Sequence, residues 1–205
     1  MDKLAISRSM KQNIKLIILI TITLAIILLC GRLWINNQKT RSAQASQIYQ
    51  EMLFAEYQKD KNTVAAKGEQ LMSSYSRTPY SQLAALLLAK NSVAENNLDE
   101  AATKLRWAID HNASKKILVP IATAHLALVL QQQGKLDEAL DLVSSDPDKA
   151  YISLYAQVRG DIYVAKGDVM QAKAAYIQAL ENLAPGVQAP LLQLKLMDLG
   201  VDDNA

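Results

Sequence analysis

Chemistry in this chain would have to start from two histidines, one cysteine and a few paired acids. His111 and His125 are the only histidines, and no cysteine or acid pair stands at ligand spacing around them, so a metal centre is not expected. Cys30 is alone and can make neither an internal disulfide nor a metal site. Asp99-Glu100 and Asp137-Glu138 each open a helical run, where acids are favoured by the helix's partial positive charge, and do not read as a catalytic pair. No G-x-S-x-G, Walker loop or H-E-x-x-H occurs. Arg159-Gly160-Asp161 spells an adhesion tripeptide, but its glycine falls where two helices must approach closely. The expectation is a protein that is not an enzyme and uses no cofactor, metal or small-molecule substrate.

Recognition is the remaining chemistry. Leu86, Lys90 and Val93, then Leu128 and Gln131, then Gln157, Asp161 and Val164 fall on three helices that would line a groove. A mixed apolar and polar groove suits an extended segment or a partner helix. The helices themselves are set by punctuation repeated three times. It reads Asn96-Asn97-Leu98-Asp99-Glu100-Ala101, Gly134-Lys135-Leu136-Asp137-Glu138-Ala139 and Gly167-Asp168-Val169-Met170-Gln171-Ala172. The alanines are spaced 139 − 101 = 38 and 172 − 139 = 33 residues apart. Twelve residues before them lie the small Ala89, Ala127 and Gly160, and four after them the large Leu105, Val143 and Tyr176. A helix-turn-helix unit of ~34 residues is the mark of a tetratricopeptide-like array.

The predicted fold is all-α: a single N-terminal transmembrane helix, then a tetratricopeptide-like repeat array with a C-terminal capping helix. Units are expected at about 41–76, 78–112, 115–146 and 148–182, with the cap at 187–200. The first unit looks degenerate because no glycine marks its turn; Ala45, Ile48, Met52, Ala55 and Tyr57 mark its leading helix. Thr78-Pro79 opens a helix that stops at Asn96-Asn97. Pro120 either starts or kinks the helix expected over 114–133. Leu191–Leu199, closed by Gly200, reads as the cap an array needs over its last apolar face.

Ahead of the array, residues 14–35 are dominated by Ile, Leu and Thr, and the charge-free stretch Leu16–Gly31 is 16 residues. A span needs ~20, and the flanking Lys15 and Arg32 can snorkel to make up the length. Trp34 suits an interfacial belt. An uncleaved anchor is favoured over a removable signal, since the only A-x-A nearby, Ala43-Gln44-Ala45, lies well past the run. Leu29 before Cys30 excludes a lipoprotein site. Lys3, Arg8, Lys11 and Lys15 precede the span, against Arg32, Lys39 and Arg41 after it, an excess too slight to orient it. A net charge of +2 and 5% aromatic content argue against a nucleic-acid partner.

Arg159-Gly160-Asp161, Lys166-Gly167-Asp168, Gln171-Ala172-Lys173, Ala175-Tyr176, Ala179-Leu180 and the tail Gln193–Leu199 together resemble the YfgM family of ancillary SecYEG translocon subunits. That resemblance implies a single-pass protein of the bacterial inner membrane. Residues 1–13 would be cytoplasmic, 14–35 the span, and 36–205 a periplasmic domain. It also implies association with SecYEG and with the membrane-anchored periplasmic chaperone PpiD, linking emerging secreted chains to chaperones. The alternative is an assembly scaffold for another cell-envelope complex, because fold alone does not fix a partner.

Overall fold

A computed structural model describes residues 2–111, 117–145 and 147–200 of the chain. Among them every regular element is helical: α1 Asp2–Tyr57, α2 Lys61–Ser74, α3 Pro79–Ala94, α4 Leu98–Asp110, α5 Val119–Gln132, α6 Leu136–Leu142, α7 Ile152–Lys166, α8 Val169–Glu181 and α9 Pro190–Asp198. Consecutive helices pack on one another, and α5 also packs on α7. The apolar run at 14–35 lies inside α1, but most of its side chains, and those of residues 1–13, fall outside the described residues. Among the described residues no helix is long and apolar enough to cross a membrane. The unit edges expected at 112, 115 and 146 also lie outside the described residues.

Four turns share one device, a residue in the left-handed region. Gly134 (φ +75°) and Gly167 (φ +76°) fill it as their sequence context predicts, Asn96 (φ 59°) replaces glycine between α3 and α4, and Lys59 (φ 57°) serves between α1 and α2. The first unit therefore has the same turn as the others, made with a residue that carries no sequence signal for it. Side chains then start the next helix: Asp60 accepts from the Thr63 amide at 3.1 Å, Asn97 from Glu100 at 3.3 Å and Asp168 from Gln171 at 3.1 Å.

Pro79 is the first residue of α3, but the Thr78 hydroxyl donates back to the Tyr75 carbonyl at 2.8 Å and does not cap forward. Pro120 starts its helix. The α5 helix opens at Val119, because a proline ring lacks the amide and clashes with the carbonyl four residues back. Helix α6 has only seven residues, and Arg159 of α7 donates from Nη1 to the Val143 carbonyl at its end, at 2.6 Å.

All nine aligned small and large positions are buried, from Ala89, Ala127 and Gly160 through Ala101, Ala139 and Ala172 to Leu105, Val143 and Tyr176. A Cβ on Gly160 would lie 2.9 Å from Tyr176 Cζ and closer still to two other ring carbons, so α7 and α8 meet as closely as backbone and ring allow. Tyr57, expected on the packed face of α1, is instead 83% exposed, while Ala45, Met52 and Ala55 are buried.

Polar contacts repeat with the array. Gln82 donates to the Ala108 carbonyl at 2.9 Å and Ser153 to the Ala179 carbonyl at 2.8 Å, both 26 residues apart and each tying the first helix of a pair to the second. Lys61–Glu95 (2.6 Å) and Lys195–Asp161 (2.6 Å) join positions 34 residues apart, one full repeat. At the C-terminal end, Leu192 and Leu196 of α9 cover Ala156, Tyr176 and Ala179. This is the seal that a terminal repeat requires.

Candidate binding groove

The first helices of three successive pairs, α1, α3 and α5, enclose a groove of ≈ 510 Å³. Spacing on α3 builds its floor: Leu83, Leu86, Leu87, Lys90 and Val93 follow the three-and-four rhythm that puts side chains on one helix face. Tyr49 of α1 closes one wall, its ring 5.8 Å from that of Tyr80, and Leu128 of α5 closes the other. Lys90, His125 and Gln132 contribute the polar atoms of the lining. The Lys90 ammonium leans out to Glu56 at 3.2 Å. Desolvation pushes the His125 imidazole below its usual range. Burial likewise pushes the Tyr49 phenol up. The groove is therefore apolar with little charge. What it can do is accept apolar side chains of a segment laid along it.

Of the eight residues marked from sequence, Leu86, Lys90, Val93 and Leu128 line this groove. Gln131, Asp161 and Val164 line a second hollow of ≈ 330 Å³ beside α9, and Gln157 lines neither. The second hollow is tied up internally. Asp161 Oδ1 accepts from the Tyr176 hydroxyl at 2.6 Å and from Lys195 Nζ at 2.6 Å, and Gln131 donates to the Asp161 carbonyl at 2.9 Å. Burial first, and then the bond to Asp161, push the Tyr176 phenol well above its ordinary range. In the adhesion-like tripeptide, Arg159 caps α6 and bonds Gln178 at 2.9 Å, Gly160 meets a ring, and Asp161 anchors α9. Those roles are structural. Sequence reasoning missed Tyr49, Leu83 and Leu87 as lining residues; Leu83 and Leu87 sit three residues before the marked Leu86 and Lys90, and that spacing could have found them.

The chain and its fold have relatives. A tetratricopeptide repeat-like domain family matches residues 9–201. An ancillary SecYEG translocon subunit of Aggregatibacter actinomycetemcomitans is 34% identical over 166 residues, which cover 81% of this chain and 80% of that protein. The chain belongs to this family of translocon subunits. The family member of Haemophilus influenzae is 30% identical over 184 residues, covering 87% of this chain and 89% of its own. That of Escherichia coli is 24% identical over 170 residues, covering 83% and 81%. Their names are those of translocon subunits and not of enzymes. The crystal structure of BtubC (BKLC) from P. vanneervenii superposes with a TM-score of 0.50 at 17% identity, over 79% of this chain and 82% of that one, a likeness of fold alone.

Proposed function

We propose that this chain is a non-enzymatic, membrane-anchored subunit of the SecYEG translocon. In this reading residues 14–35 hold it in the bacterial inner membrane, residues 1–13 face the cytoplasm and the repeat domain lies in the periplasm. There the groove between α1, α3 and α5 receives apolar segments of secreted chains as they emerge, and passes them toward a periplasmic chaperone such as PpiD. The observation that carries the reading is the apolar ≈ 510 Å³ groove in a chain whose family members are named translocon subunits. Anchoring supports it physically. Confinement near the translocon raises the effective concentration of client, so a shallow groove can act through weak contacts.

A photo-crosslinking residue at Leu86 in the full chain, in living cells, tests it. The expected adducts contain secreted chains together with translocon subunits, and a residue placed at Met170, 80% exposed on α8, should give few. Enrichment of a different envelope complex from both positions would replace this reading with that of a scaffold. A reporter active only in the periplasm, fused after Ala205, should work; activity only in the cytoplasm would overturn the topology.

A further inference from the structure

Helix α1 runs without a break from Asp2 to Tyr57, so no flexible linker separates the apolar run from the repeat domain. The end of α2 and the turn that follows it, residues 73–78, pack back against that helix, level with the end of the apolar run. Trp34, Asn37, Gln38 and Arg41, one face of α1, and the turn itself enclose a small polar hollow of ≈ 190 Å³. The turn is clamped there: Arg41 Nη2 donates to the Ser74 carbonyl at 2.5 Å, and its guanidinium lies 5.8 Å from the centre of the Tyr75 ring. Trp34 is 62% exposed at the other end of the hollow.

We propose that this corner rests on the membrane surface and that Arg41 and Arg77, with the hydroxyls of the serine-rich turn, bind the phosphates of anionic lipid headgroups. The proposal rests on the reading of 14–35 as a span. With Trp34 in the interfacial layer, Arg41 lies seven residues further on, ~10 Å along the helix. The headgroup layer is itself about 5–7 Å thick, and an arginine reaches several ångströms further. An upright helix therefore holds the corner at the outer edge of the headgroups, within reach of the exposed Arg77 side chain, and tilt of the continuous α1 brings it closer.

Charge points the same way. No acid occurs from Lys3 to Gln50, and none from Gln70 to Ala94, so both chain segments at this end carry only positive charge, including exposed Lys39 and Arg77. The hollow adds the hydroxyls of Ser74 and Ser76 and the amides of Asn37 and Gln38, donors suited to a phosphate, while Ser73 donates to the Glu69 carbonyl of its own helix. Docked in this way, the domain holds one orientation on the bilayer, and its groove stands at a set height above it.

The test uses the full chain in lipid nanodiscs, with Cys30→Ser and one fluorophore attached at Ser76→Cys or, as the distant control, at Met170→Cys. The discs carry a trace of lipid with a nitroxide quencher on its headgroup. In phosphatidylglycerol discs the Ser76 probe should be quenched several-fold more than the Met170 probe, and much less so in phosphatidylcholine. Each basic residue near an anionic surface is worth about fivefold in bound population. Arg77→Glu should therefore lower the docked-to-undocked ratio at least fivefold, and 0.5 M salt should do the same. Equal quenching at both positions, or equal quenching in both lipids, would overturn the proposal and leave the anchor intact. A chain that never enters the discs would overturn the anchor and the proposal together.

Discussion

Replacing Gly160 by alanine should destabilise the protein even though it adds a single methyl to a helix. In isolation the change favours folding, since glycine inside a helix is worse than alanine by ~1 kcal/mol. The packing reverses the sign. The new Cβ would fall within the van der Waals shell of three Tyr176 ring carbons, and Tyr176 is 2% exposed, so the ring cannot swing into solvent without opening the α7–α8 contact. Overpacking of this kind costs about 1–3 kcal/mol. A displaced ring also loses its 2.6 Å bond to the Asp161 carboxylate, worth about 1.5–3 kcal/mol for a charged partner. The net is about 1.5–5 kcal/mol, or a melting temperature lower by roughly 3–20 °C for a domain of this size. Circular dichroism melts of the full chain in detergent read it. The decisive control is the same substitution in a Tyr176→Ala background, where the ring is gone and Gly160→Ala should now stabilise by ~1 kcal/mol. A wild-type background in which Gly160→Ala raises the melting temperature or leaves it unchanged would refute the close-approach argument and the alignment that placed Gly160 opposite Tyr176.

Lys59→Gly should stabilise by about 1 kcal/mol, because a side chain in the left-handed region is strained by roughly that amount; denaturant titration reads it as a higher midpoint at unchanged slope. Asp161→Ala strands the Tyr176 hydroxyl and Lys195 together and should cost about 2–3 kcal/mol, with faster amide exchange in α9 than in α3 as the distinguishing sign. Alkaline pH should weaken the fold through Tyr176. Its phenol is raised in the folded state, so its stabilisation is complete below the ordinary tyrosine value near 10 and is lost as pH rises above it. The gap between melts of wild type and Tyr176→Phe should be constant over pH 8–9 and begin to narrow between pH 10 and 11, as the first part of that contribution is lost; a constant gap throughout would refute the assignment.

Much of the array was legible because repeat packing leaves a periodic trace. The glycines at 134 and 167 and the alanines at 101, 139 and 172 are small or flexible for a geometric reason that recurs with each unit, so their spacing alone exposed the helix pairs. What escaped had no periodic trace. Lys59 bends the chain left-handed with no local preference to announce it, and the surrounding helices supply the stabilisation. Whether Pro120 starts or kinks α5 could not be chosen from sequence, since proline suits both, and the short α6 has Arg159 of another helix on its last carbonyl. The groove was half visible. Leu86, Lys90, Val93 and Leu128 could be placed from the repeat, whereas Tyr49 enters only because the degenerate first unit packs like the others.

The same packing explains why Asp161 and Lys90, alike as charged residues on first helices, have different surroundings. Lys90 stands mid-array, where the next first helix is set aside by the groove, and its ammonium turns outward to Glu56 of the preceding pair. Asp161 stands on the last first helix, where α9 occupies the space a further repeat would fill, and Lys195 arrives at the one-repeat separation of 34 residues. The terminal helix thus supplies the ion-pair partner as well as the apolar cover of the missing unit. The groove positions of the final repeat are thus occupied by the cap, whereas those of α3 face an open hollow. On the proposed reading the working surface is then α1, α3 and α5, the part of the array continuous with the helix that carries the apolar run.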